Sequence, residues 1–266
     1  MAMGTSGSFG GSGGKDASDL RDNISEWLDG LDDTSESDET SEDQPRRPQI
    51  DLGPAIRLLL RPTGGGTGGE GPGGGSAGSG TGGGGRSSGG VARSVGRVSR
   101  AAGRAGRLAL AYSSGDRETL QEAGLDYDGL RALNDPLTVG LKIVGAAFDS
   151  QANSTIEDAE EREIIAGLVE WMLVESDSQD LSPEDVVRKT IELILAETVL
   201  TEVTASVYAK QATSEERKVL EQEIRKAAVE YAAQANLNPT GATDREMAEA
   251  IENGIRSMGF IFGDES

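Results

Sequence analysis

Between Gly64 and Gly90 the chain is nearly pure glycine, serine and threonine, and no hydrophobic core can be built from such a stretch. Glycine loses more backbone entropy on ordering than any other residue, and almost no apolar surface is present to offset that loss. The composition predicts a flexible linker with a reach of roughly 5–6 Å times the square root of its length. Glycine is concentrated before Gly90, so the chain reads as two different polymers joined end to end. The roughly 150 residues that follow are the size of an ordinary single domain.

The first ninety residues are expected to form a disordered, Gly/Ser-rich and acidic arm carrying short apolar docking segments. Residues 1–14 are almost entirely small, and residues 16–43 are acidic with only Arg21 opposing. Within the acidic stretch Leu20, Ile24, Trp27, Leu28 and Leu31 recur at helical spacing. A helix this short is marginal alone in water, so the stripe is expected to fold against a partner, with a solvated acidic linker as the alternative. A second apolar segment, Ile50 to Leu60, suggests a docking strand or helix.

Residues 91–112 form the next unit. Arg93, Arg97, Arg100, Arg104 and Arg107 follow a 4, 3, 4, 3 spacing with no acid among them. On a helix they make one cationic stripe opposite small Ala, Gly and Val residues. Such a stripe can grip nucleic-acid phosphates or an acidic protein surface. In a chain of net charge -21, pairing with its own carboxylates competes with both.

From residue 116 to 266 the pattern is helical and predicts an all-α C-terminal bundle. Asp135-Pro136 reads as an N-cap and first turn, with Leu137, Leu141, Val144 and Phe148 on the buried face. Ser154 to Glu157 resembles a capping box before Ile164, Ile165, Leu168, Trp171 and Met172. Ser182-Pro183 opens a helix bearing Val187, Ile191, Ile194, Leu195, Val199 and Val203. Ser214 begins another, over Leu220, Ile224, Ala227, Ala228 and Tyr231. Thr243 to Glu246 caps the last, with Met247, Ile251, Ile255 and Met258 inward.

Absent residue types restrict the chemistry. Without cysteine or histidine there is no thiolate nucleophile, imidazole base or Cys/His zinc site. The expectation is a protein that is not an enzyme and takes no cofactor. Several G-x-G-x-x-G matches fall between Gly64 and Gly90, but none sits between a strand and a helix, and no G-K-[ST] accompanies them. The first-turn acids, such as Glu157, Asp158, Glu160 and Glu161, complement a helix dipole. No apolar run is long enough for a membrane span. Residues 1–30 lack a signal-type apolar segment, which with the absence of disulfides points to the cytoplasm.

Met3-Gly4-Thr5-Ser6-Gly7-Ser8 fits an N-terminal acylation pattern if translation starts at Met3. Loss of Met3 leaves a glycine α-amine, with pKa about 7.7–8.0 against about 10.4 for lysine, and so a competent acyl acceptor. On the residues alone Gly4 reads rather as another linker glycine. The opening Met3 to Gly14, the acidic stretch, the glycine tract, the Arg/Ala/Gly segment and the helical half together resemble the QatB family. These are accessory proteins of the bacterial Qat anti-phage defence system. Met1-Ala2 precede the family-like start.

The resemblance implies an accessory role beside an ATPase, a TatD-like nuclease and QatC, a partner similar to 7-cyano-7-deazaguanine synthase. Enzymes of that type activate a 7-deazaguanine carboxylate with ATP and pass it to a nitrogen nucleophile. The implied role is docking on the synthase-like partner and presentation of Gly4 for conjugation. Nucleic-acid binding through the arginine stripe, and a structural adaptor or homo-oligomer, stay open beside it.

Overall fold

The computed structural model describes residues 14–35, 49–60, 91–148, 156–176, 180–237 and 240–262. Among the described residues every regular element is an α-helix, as the periodicity implies. They are α1 (Lys15–Ser35), α2 (Gly53–Leu60), α3 (Val91–Ser114), α4 (Arg117–Glu122), α5 (Tyr127–Leu133), α6 (Pro136–Ala147), α7 (Ile156–Glu175), α8 (Pro183–Ala209), α9 (Ser214–Ala233) and α10 (Asp244–Phe262).

Side-chain caps set where these helices begin. The first backbone N–H groups of a helix have no intrahelical acceptor, and a short polar side chain supplies one. Asp135 accepts from the Thr138 N–H, and Pro136 opens α6 with a φ already suited to it. Ser182 and Asp185 bond reciprocally at the start of α8, as do Thr213 and Glu216 at α9. At α10 the Glu246 N–H donates to Thr243 Oγ1 at 3.2 Å, and the Thr243 N–H donates to Glu246 Oε2 at 3.1 Å. The Ser154 to Thr155 part of the box expected before α7 lies outside the described residues.

The core runs through the whole assembly. α3 lies at its centre and touches α2, α4, α6, α7, α8 and α10. α8 packs on α9, α10, α7 and α1, burying Val187, Ile191, Ile194, Leu195, Val199 and Val203. Met247, Ile251, Ile255 and Met258 of α10 and Leu220, Ile224 and Ala228 of α9 close the other sides.

Two expectations are corrected. The folded body does not begin after residue 90, because α1 and α2 belong to it. Leu20, Ile24, Trp27 and Leu28 are buried in the chain's own core, and Leu31 packs partly buried against it. The stripe expected to await a partner finds one in cis on α2, α8 and α9. The physical reason is packing: helical stability in a folded protein comes mostly from burying an amphipathic face, and α1 buries its stripe on the body. α2 likewise buries Ala55, Ile56, Leu58 and Leu59 against α10, α3 and α8.

The second correction concerns α6. Its buried row is Val139, Ile143, Val144 and Ala147, whereas Leu137 and Leu141 are 71% and 61% exposed. The helix is apolar nearly all round, so its sequence allows more than one inward face. The structure buries the row of two valines, an isoleucine and an alanine and leaves the two leucines outside.

Candidate functional site

The arginine-bearing helix α3 is built for close approach. Ala101, Ala102, Ala105 and Ala109 are buried, and Gly103 and Gly106 sit among them. A Cβ added at Gly103 would overlap the Asp244 carbonyl oxygen, and one at Gly106 would fall 2.6 Å from Val186 Cγ1. These glycines let the start of α10 and the first turn of α8 press onto the α3 backbone. That contact fixes which way the arginines point.

Each arginine whose side chain is described lies beside carboxylates. Arg97 Nε donates to Glu161 Oε1 at 2.9 Å, and that carboxylate is only 4% exposed. Arg107 Nη2 reaches Glu122 Oε2 at 3.1 Å. Arg100 and Arg104 share a shallow depression with Asp244, Arg245, Glu249 and Glu252 of α10. Arg93 falls in the first turn of α3, where side chains lie outside the described part. The stripe is therefore an edge at which the positive helix α3 is stitched to acids on α4 and α7 and shares a depression with acids of α10. A phosphate backbone would have to compete with Glu161 for Arg97 and with Glu122 for Arg107.

Polar contacts also tie the N-terminal helices to the body. Arg21 of α1 pairs with Glu202 of α8 at 3.1 Å, and Arg57 of α2 with Asp16 of α1 at 2.9 Å. Lys210 bonds both the Ser25 carbonyl and the Asp29 carboxylate. The Leu52 N–H donates to Tyr231 Oη at 3.3 Å, and that hydroxyl donates to Asp51 Oδ1 at 2.9 Å. Burial, reinforced by the nearby Asp51 charge, pushes the Tyr231 phenol up to about 12. It stays a neutral donor through the physiological range. Burial also raises the Glu202 carboxyl against the opposing pull of Arg21. Desolvation likewise raises Glu197, opposed by Arg225.

On the outer side of α1, Asp19, Asp22, Asn23 and Glu26 line an open groove with Asp51, Pro54, Arg57, Ile261 and Phe262. Lys15, the first residue of α1, stands at the root of the N-terminal segment. Gly4 lies outside the described residues.

Sequence reasoning named the arginines and missed their acceptors. Glu161 reads as a first-turn dipole acid and is instead a buried ion-pair partner. Glu202 follows no motif, although an acid among the apolar positions of α8 was a signal that it needed a cation. Asp51 and Tyr231 are 180 residues apart, and no local pattern connects them. Among the described residues no three acidic side chains converge as a metal site, and no helix is long and apolar enough to cross a membrane. Comparison of the chain with protein-family models, curated proteins and solved structures finds no match.

Proposed function

We propose that this protein is a non-catalytic accessory component of bacterial anti-phage defence. In this reading its helical body docks on a 7-cyano-7-deazaguanine synthase-like partner, QatC, and holds Gly4 out as the nucleophile. The partner activates a deazaguanine carboxylate with ATP. The glycine amine forms the new C–N bond, loses a proton and displaces the activating group, leaving an amide between base and protein.

The observation that supports this reading is the anchoring of α1. Buried Leu20, Ile24 and Trp27, the Arg21–Glu202 pair and the Lys210 contacts hold Lys15 at a set point on the body. The segment from Gly4 to Lys15 then spans at most roughly 36–40 Å when fully extended. Tethering at that length gives the amine a high effective concentration near a site on a docked partner. The glycines at 7, 10, 11, 13 and 14 let that backbone pass a narrow channel.

Intact-mass and peptide mass spectrometry of the protein co-expressed with the synthase-like partner tests the reading. The expected result is loss of Met1 to Met3 and an added deazaguanine acyl mass on Gly4. An unchanged N-terminus in the presence of partner, ATP and deazaguanine carboxylate overturns conjugation.

A further inference from the structure

The outward face of α6 has an unusual make-up for so acidic a chain. Among the described helices only α2, α3 and α6 lack acidic residues. α2 and α3 are sandwiched between other helices, so α6 alone presents an acid-free, largely apolar row outward. Lys142 is its one charged side chain. Leu133 at the end of α5, 38% exposed, precedes this row in the chain.

The row itself has a pattern. Leu137, Leu141 and Gly145 follow one another at intervals of four along one exposed line. A Cβ placed on Gly145 would meet nothing within 4 Å, so the row reads as knob, knob, hole. Turned end for end about a two-fold axis at Leu141, it complements itself: Leu141 meets Leu141 of the copy, and each Leu137 lies over the other's Gly145. Self-complementarity about a two-fold axis is the requirement of an isologous contact.

Charge points to the same place. Two molecules of net charge -21 repel, and the contact that costs least is one without carboxylates on either side. From Pro136 to Ala147 α6 offers that, its N-cap carboxylate Asp135 standing at the end of the row.

We propose that the α6 face is the contact between two copies of this chain, packed antiparallel through Leu137, Leu141 and Gly145. A contact of one 12-residue helix is small. It therefore belongs with weak interfaces burying less than about 1,200 Å² in total, and the dimer depends on concentration. Salt strengthens it, because screening removes repulsion between the two acidic bodies and breaks no ion pair at the contact.

Sedimentation velocity of the full chain over about 1 to 500 μM, at low and high salt, tests the proposal. The expected result is a monomer–dimer equilibrium that moves toward dimer as salt rises. Leu141→Asp and Gly145→Gln each weaken dimerisation by about tenfold or more while the helical circular dichroism stays unchanged. Gly145→Gln is the sharper variant, since its Cβ meets nothing within 4 Å in the monomer and its side chain extends from the exposed line of the helix. Because the chain has no cysteine, oxidised Leu141→Cys protein yields a single disulfide-linked dimer if Leu141 lies on the axis. A wild-type chain that stays monomeric throughout, or a dimer indifferent to Gly145→Gln, overturns the proposal; the first outcome gives the face to a different protein.

Discussion

Glycine at three positions of this molecule has three different physical meanings. Gly103 sits where the Asp244 backbone leaves no room for a methyl group, and Gly106 where Val186 occupies the space. Gly145 faces nothing. Alanine at 103 should therefore destabilise the fold by about 1–3 kcal/mol through overpacking, offset in part by its better helix propensity. Alanine at 145 should add up to about 1 kcal/mol. Urea denaturation of the two variants measures both, and equal effects would contradict the packing described for α3. Nothing in the sequence separates these glycines. All are small residues in helical runs, and the difference lies in what a distant segment brings against them. The same holds for Arg97: its spacing was legible, but its acceptor Glu161, 64 residues away, was not.

Whole elements were easier to read than single contacts. α8, α9 and α10 carry apolar residues at helical spacing between cap signals, and local chemistry settles both. Their buried faces are those the period marks out. α6 misled because an almost uniformly apolar helix has no unique inward side. α1 misled in another way: its stripe was visible, but a stripe does not say whether its cover comes from the same chain. The structure supplies that cover, and Trp27, 3% exposed, becomes a core residue. Trp27→Ala should cost about 3–5 kcal/mol of global stability. A single cooperative unfolding transition shifted to lower denaturant is the expected outcome. A change confined to local protease sensitivity near α1 would mean that the helix is an appendage. For the same reason, a deletion through residue 60 strips the core and is a poor way to remove Gly4. Deleting residues 1–13 removes the proposed nucleophile and takes nothing from the described helices.

At the scale of the molecule, acidity and burial pull stability in opposite directions with pH. Glu197 and Glu202 bind their protons more tightly folded than unfolded, because burial disfavours their charge. Their contribution improves as pH falls from neutral through the folded pKa toward the unfolded value of about 4.3. Relief of the -21 charge acts in the same direction. Opposing them, Asp116, Asp128, Asp135 and Glu246 are held low by bonds chiefly from Thr119, Arg117, Thr138 and Thr243. What those bonds add is present above the unfolded values of about 3.9–4.3 and is lost as pH falls through the lower folded ones. The melting temperature should thus rise from neutral toward about pH 5 and drop below about pH 4. Glu202→Gln should melt higher than wild type at pH 7, with the gap closing as pH falls and Glu202 takes up its proton; a lower value at pH 7 would show that the Arg21 attraction outweighs burial. The closure of α2 onto α10 has a further consequence, for the order of synthesis. Arg57 of α2 reaches the Phe262 carbonyl at 3.4 Å, 205 residues downstream, and α1 rests on α8 and α9. The earliest helices to leave the ribosome have no floor until the latest have been made. A chain that stops before α9 lacks part of the surface on which α1 rests, and one that stops before α10 leaves α2 without its largest neighbour.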